Sequence, residues 1–154
     1  MARGHPLVAE VARRGGGFVC DTGPLVFRLE RSGPRRVREA VDALYGDVEL
    51  GELGCFVSTV SAAELLVHPH RIGLPAVGVT DGFLRSPFVA LIPPSLQVAH
   101  SAARLVARRV LPRLGDALIA ATAIDLRLPL VTTDRRLARA VGALLVQDHL
   151  AAAT

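Results

Sequence analysis

The sequence has no lysine, no asparagine and no tryptophan, and only two of its 154 residues are cysteines. Two cysteines are too few for a disulfide scaffold, and Cys20 and Cys55 both lie in short apolar segments, so we expect buried and inert thiols. No uncharged apolar run approaches the ~20 residues that a membrane span needs. The first residues also lack the unbroken apolar core of a signal peptide. We therefore expect a cytoplasmic protein with no membrane segment.

The absence of lysine leaves arginine as the source of positive side-chain charge. The 18 arginines outnumber the 14 acidic residues and give a formal net charge of +4. We attribute the exclusive use of arginine to coding bias more than to selection for phosphate binding. The excess positive charge nevertheless favours a polyanionic partner. With 51% hydrophobic and 21% charged residues, the chain is expected to form one globular domain.

Short apolar segments alternate with helical stretches from Gly17 onward, which predicts an α/β fold. The predicted strands are residues 17–20, 55–60, 88–92, 130–133 and 144–146, and a helix over residues 135–141 is predicted between the last two. Strands that alternate with helices in this way form a parallel sheet that is covered on both faces.

Two regions fit this pattern poorly. Residues 1–16 contain a short amphipathic stretch and run into three glycines, so we expect an N-terminal extension on a flexible joint. Residues 68–82 are broken by prolines and glycines, and we expect a helix to resume only near Asp81.

Four carboxylates lie at the edges of apolar stretches: Asp21, Glu64, Asp116 and Asp134. Acids near a core persist when they are paired, hydrogen-bonded or bound to a cation. Asp21 and Asp134 follow predicted strands, Glu64 lies in the helix after a third strand, and Asp116 lies in the first turn of its helix. Ligands of parallel sheets bind outside the carboxyl ends of the strands. We therefore expect the four acids to converge on one site there.

Each acid also has a purely structural interpretation when it is taken alone. Asp116 fits a helix cap, Asp21 and Asp134 fit turns that follow strands, and Glu64 fits an exposed helix position. The arginines near them are equally ambivalent. Arg135, Arg136 and Arg139 either contact phosphate or form a solvated helix face.

Four motifs carry a resemblance to a known family. They are Asp21-Thr22-Gly23-Pro24-Leu25, Ser61-Ala62-Ala63-Glu64-Leu65, the helix that starts Asp116-Ala117-Leu118-Ile119, and Leu130-Val131-Thr132-Thr133-Asp134. In this order and at these intervals they resemble the PIN-domain ribonucleases, in particular the VapC-type toxins of bacterial and archaeal toxin–antitoxin pairs. The resemblance implies a three-layer α/β/α sandwich with a five-stranded parallel sheet, which we assign to residues 17–150.

The resemblance also implies a Mg²⁺- or Mn²⁺-dependent endoribonuclease, with an antitoxin protein as its partner and a homodimer as its assembly. Its acidic quartet corresponds to Asp21, Glu64, Asp116 and Asp134, and its strand-end hydroxyl corresponds to Thr132. We expect Asp21 and Asp116 to be direct metal ligands, and Thr132 and Thr22 to hydrogen-bond to the carboxylates. Glu64 and Asp134 would bind through water, complete a second ion site or orient the attacking water.

Two alternatives remain open at this point. The first is a catalytically idle PIN-like module that binds RNA or a protein, and the second is a housekeeping RNA-processing nuclease. An intact acidic quartet argues against the idle module, whereas the sequence alone does not separate a toxin from a housekeeping enzyme.

Overall fold

The computed structural model describes residues 4–153, which form five strands and eight α-helices. The strands are β1 (Gly17–Cys20), β2 (Gly54–Ser58), β3 (Ala90–Ile92), β4 (Leu130–Thr132) and β5 (Leu144–Leu145). The helices are α1 (Pro6–Arg13), α2 (Thr22–Glu30), α3 (Arg35–Glu49), α4 (Thr59–Ile72), α5 (Leu74–Leu84), α6 (Leu96–Ala107), α7 (Leu114–Leu126) and α8 (Arg135–Val141). No helix within this range is long and apolar enough to cross a membrane.

The five strands form one parallel sheet in the order β3-β2-β1-β4-β5. The chain builds outward from β1 to β3 and then crosses back to place β4 on the other side of β1. The strand order therefore reverses between β1 and β4. A reversal of this kind leaves a crevice at the carboxyl ends of the two strands, where ligands of such sheets bind.

Apolar side chains of the central strand alternate between two separate cores. Phe18 and Cys20 of β1 pack into a core with α1, α2 and α3, whereas Val19 packs into a second core with α6, α7 and α8. Successive strand residues point to opposite faces, so four buried residues in a row serve both layers. The expected three-layer α/β/α sandwich with a five-stranded parallel sheet is confirmed.

The N-terminal residues correct one expectation. The glycine-rich joint predicts a flexible extension over residues 1–16, but α1 packs against the core. Leu7, Val8 and Val11 on one helix face are at most 2% exposed. Gly15 and Gly16 have φ angles of +106° and +79°, so the glycines form a tight turn from α1 into β1. Residues 1–3 of the predicted extension lie outside the described range.

The region 68–82 is also more regular than its prolines and glycines predict. Helix α4 continues to Ile72 through the buried Pro69, and α5 starts at Leu74. The break between them is Gly73, whose φ of +144° disfavours any residue with a side chain. Pro75 follows within the first helical turn, where proline needs no hydrogen-bonded N–H. A single glycine therefore separates two regular helices in this segment.

Candidate active site

The ends of β1 and β4 bring the first acid and its partner together. Asp21 follows β1 directly and is only 7% exposed. Thr132, the last residue of β4, is fully buried, and its Oγ1 donates a hydrogen bond of 2.7 Å to Oδ2 of Asp21. The same Oγ1 accepts a hydrogen bond of 2.9 Å from the backbone N–H of Asp134. One hydroxyl therefore links the residues that follow two neighbouring strands.

Glu64 reaches the same edge of the sheet from α4. Its Oε2 accepts a hydrogen bond of 2.9 Å from Oγ1 of Thr22, which begins α2 next to Asp21. Its Oε1 lies against α7, because a Cβ placed on Gly115 would come within 2.9 Å of that oxygen. Glu64 thus lies between the residue after Asp21 and the residue before Asp116.

Asp116 completes the arrangement from the first turn of α7. It is half-buried, and Arg113, not Asp116, is the N-cap residue of this helix. The pKa of Asp116 is raised, chiefly by burial and further by the carboxylate of Asp134, whereas the positive charge of Arg113 opposes the rise. The structure therefore does not support the interpretation of Asp116 as an N-cap.

Electrostatic interactions connect the four acids. Burial raises the pKa of Asp21, the hydrogen bond from Thr132 opposes the rise, and the negative charges of Asp116 and Glu64 add to it. Asp134 acts on Asp116 in the same sense. Negative charges that act on one another in the absence of a cation disfavour full ionisation, so the group has a reason to bind one.

Two of the four acids are less buried than their apolar surroundings suggest. Glu64 and Asp134 are exposed. Oδ1 of Asp134 accepts hydrogen bonds from the backbone N–H groups of Arg136 (2.8 Å) and Leu137 (3.2 Å), so Asp134 is the N-cap of α8. Asp134 therefore caps a helix where a turn was expected, and this structural role does not exclude a second one.

Whether a divalent cation fits this site depends on the atoms that could coordinate it. The candidate donors are carboxylate and hydroxyl oxygens, which suit a hard ion such as Mg²⁺. No three His, Cys, Asp or Glu side chains of residues 4–153 lie close enough together to form a ready-made metal cage. Mg²⁺ keeps several waters and needs only one or two protein carboxylates, so a preformed cage is not required. The donors therefore fit the ion that the resemblance implies.

Two residues near the site carry no clear signal in the sequence. Gly115 leaves the space that Oε1 of Glu64 occupies, and a lone glycine early in a helix gives no hint of this role. Arg113 shares a surface cleft with Asp116 and Asp134. Its position three residues before a candidate acid does not by itself indicate a role.

One protein family matches most of this chain. The model of the family described as PIN domain matches residues 18–143. The chain belongs to the PIN domain family. The matched range begins inside β1, so α1 precedes it, and it includes all four candidate acids. No protein with curated annotation is similar enough in sequence to count as a match.

Several solved structures have the same fold as this chain. A chain of a toxin–antitoxin complex from Klebsiella pneumoniae is 23% identical, with a TM-score of 0.63 over 83% of this chain and 96% of that one. FitAcB from Neisseria gonorrhoeae is 21% identical, with a TM-score of 0.62 over 83% of this chain and 95% of that one. VapBC2 from Rickettsia felis, bound to a promoter DNA fragment, is 20% identical, with a TM-score of 0.63 over 84% of this chain and 96% of that one. At these identities the likeness shows the fold.

Proposed function

We propose that this PIN-domain protein is an endoribonuclease that depends on Mg²⁺ or Mn²⁺ and acts as the toxin of a type II toxin–antitoxin pair. The observation that carries the proposal is the hydrogen-bonded, mutually charged group of acids at the point where the strand order reverses. Threonines hold two of these acids, Asp21 and Glu64, through side-chain hydrogen bonds. With RNA as its substrate, the protein would act in the cytoplasm.

The residues divide the work according to their positions. Asp21 and Asp116 would hold the ion, since one is fixed by Thr132 and the other lies half-buried in the same group of acids. The chemistry that a divalent ion would supply there is a lower pKa for a bound water and neutralisation of the charge that develops on the phosphate. Glu64 and Asp134 are more exposed and would orient water or bind a second ion through it. Thr132 and Thr22 keep the carboxylates in place for these contacts.

Cleavage of RNA by the purified protein tests the proposal. We expect Mg²⁺- or Mn²⁺-dependent cleavage that excess chelator abolishes. Asp21→Asn, Glu64→Gln, Asp116→Asn and Asp134→Asn should each lower the cleavage rate by at least ~100-fold, because each disturbs the position or charge at the ion site. Asp125→Asn is a matched control, since Asp125 is exposed on the same helix as Asp116 and should be dispensable. Cleavage that survives chelation would contradict the metal mechanism.

Absence of cleavage under any metal condition would favour the idle module instead. The acids would then hold the sheet edge together without chemistry, and RNA or protein binding would be the function to measure. A cooperative thermal unfolding transition in each of the four variants would show that any loss of activity is not a loss of fold.

The toxin assignment draws on the comparison structures and on the surface of the molecule. The first of those structures is a toxin–antitoxin complex, which supports an antitoxin partner here. A homodimeric assembly remains what the family resemblance implies. Exposed apolar side chains at the α4–α5 hairpin also suit a protein partner, and they include Val67, Ile72, Leu74 and Val79. This surface would be covered in such a complex.

Expression in a bacterial host separates a toxin from a housekeeping nuclease. We expect wild-type protein to arrest growth, Asp116→Asn to be harmless, and Asp125→Asn to arrest growth as wild type does. The product of a short reading frame directly upstream should restore growth. A nuclease that is active in vitro and harmless at high expression would favour the housekeeping role.

A further inference from the structure

A surface cleft of about 230 Å³ opens beside two of the candidate acids, between α8 and the loop that leads into α7. Asp116 and Asp134 form part of its wall. Arg113 and Arg136 line the same cleft, and both are exposed at its rim. Positive and negative groups thus share one small concave surface, and the acids are those proposed to bind the metal.

The two arginines are available for a ligand. Within residues 4–153 neither guanidinium lies within salt-bridge distance of a carboxylate, although the adjacent Arg135 lies 3.8 Å from Asp148. A guanidinium presents planar donors that match two oxygens of a phosphate. Two such groups beside a metal site suit a phosphate that is bound next to the reacting one.

The remainder of the wall is apolar and small. Val110, Leu137 and Ala140 line the cleft together with the charged residues. Val110 is 38% exposed, so apolar surface is open to a ligand. Pockets for whole small molecules start at roughly 300 Å³, and this cleft is smaller. It suits a single nucleotide unit of a chain, with a base or sugar against the apolar wall and a phosphate at the arginines.

We propose that this cleft holds one nucleotide of a single-stranded RNA beside the phosphate that is cleaved, with Arg113 and Arg136 binding its phosphate. The inference rests on the proposed nuclease function, because the acids at the cleft are those of the proposed active site. A single-stranded substrate is favoured because unpaired bases can enter a small cleft, whereas bases in a duplex stay stacked and paired.

Binding and cleavage of a fluorescein-labelled, single-stranded RNA of mixed sequence test this proposal. Binding is measured by anisotropy in Mg²⁺ on an Asp21→Asn background, which leaves the cleft lining unchanged and prevents cleavage. Arg113→Ala and Arg136→Ala should each weaken binding about tenfold, as expected when a charge-assisted hydrogen bond is removed. Each should also reduce the slope of log affinity against log salt by about 0.7 for every phosphate that the variant no longer binds.

Arg139→Ala is the matched control. Arg139 is an exposed arginine on the same helix as Arg136 but outside the cleft lining, so this substitution removes the same charge and leaves the cleft intact. Its effect should be less than twofold. Ala140→Leu fills the cleft without changing any charge, and it should weaken binding about as much as Arg136→Ala does.

Kinetics of the otherwise wild-type variants complete the test. Arg136→Ala should raise KM about tenfold while kcat changes little, as expected for loss of uniform binding. If the wild-type protein cleaves RNA and Arg136→Ala and Arg139→Ala have equal RNA affinity and KM, the nucleotide cleft is wrong and the nuclease function stands. The opposite outcome is a wild-type protein that cleaves no RNA, with RNA binding that Arg113→Ala and Arg136→Ala still weaken. That result would overturn the nuclease function and support the cleft as a nucleotide-binding site.

Discussion

The hydroxyl of Thr132 donates a 2.7 Å hydrogen bond to the buried carboxylate of Asp21 and joins the ends of two neighbouring parallel strands. Burial raises the pKa of Asp21, and this hydrogen bond opposes the rise. Burial thus makes the Asp21 carboxylate costly to ionise, and the hydrogen bond from Thr132 lowers that cost.

Removal of this donor should cost stability. Thr132→Val keeps the shape of the side chain and deletes the hydroxyl, so Asp21 loses its side-chain donor and the N–H of Asp134 loses its acceptor. We expect the free energy of unfolding at pH 7 to fall by about 1.5 to 3 kcal/mol, the usual range for a hydrogen bond to a charged group. Urea denaturation measures the loss. Thr132→Ser keeps the hydroxyl and should lose clearly less; equal losses in the two variants would show that packing, not the hydrogen bond, matters at this position.

Substitution of Gly115 should separate stability from activity. Gly115→Ala favours the helical backbone, but its Cβ would meet Oε1 of Glu64 at 2.9 Å and displace that side chain. We expect unchanged or slightly higher stability together with a lower cleavage rate. Gly46→Ala is the control, because Gly46 lies within α3 with no atom within 4 Å of an added Cβ. It should gain roughly 0.5 to 1 kcal/mol and keep full activity. Full activity in Gly115→Ala would mean that the position of Glu64 is not critical.

The packing of α1 predicts that this helix contributes to global stability. Leu7 is completely buried, so Leu7→Ala should lower the free energy of unfolding by about 2 to 5 kcal/mol. Leu50→Ala deletes the same atoms at a position that is 75% exposed, and it should change stability by less than about 0.5 kcal/mol. Chemical denaturation compares the two variants. A mild effect of Leu7→Ala would restore the interpretation of residues 1–16 as a loosely attached extension.

The sheet and its edge could be predicted from the sequence because their signals are local. Strand β1 and helix α8 have the predicted bounds, and acids that follow strands of a parallel sheet must lie at one edge. The docking of α1 could not be predicted, since three glycines indicate flexibility equally well as a tight turn. The continuous course of α4 through Pro69 depends on tertiary packing, which overrides local propensity.

The environment of the individual acids was predictable only in part. The burial of Asp21 follows from the apolar strand before it, but Glu64 and Asp134 are exposed although each adjoins an apolar stretch of the sequence. Exposure depends on which side of a helix faces the sheet, and that is set by neighbours distant in the sequence. The cleft with Arg113 and Arg136 forms where α8 meets the loop that leads into α7, so no short stretch of the sequence predicts it.

The raised pKa of Asp116 determines how the stability of the metal-free protein depends on pH. The folded protein binds a proton at this group more tightly than the unfolded chain does, so its contribution to stability is greatest below the unfolded pKa and is lost as the pH rises through the folded pKa. At pH 7 and without metal, Asp116→Asn should therefore melt at a higher temperature than wild type. The difference should shrink towards about pH 4, where the carboxylate is increasingly protonated in both states.

Thermal melting of wild type and Asp116→Asn, in chelator and in Mn²⁺, tests most directly whether these acids form a metal site. We expect a higher melting temperature for the variant in chelator and a larger stabilisation of wild type by Mn²⁺, about 2.7 kcal/mol when the ion is at a hundredfold excess over Kd. Asp125→Asn should respond to Mn²⁺ as wild type does. A lower melting temperature of Asp116→Asn in chelator, together with an identical response of both proteins to Mn²⁺, would mean that Asp116 is structural and that the four-acid metal site is wrong.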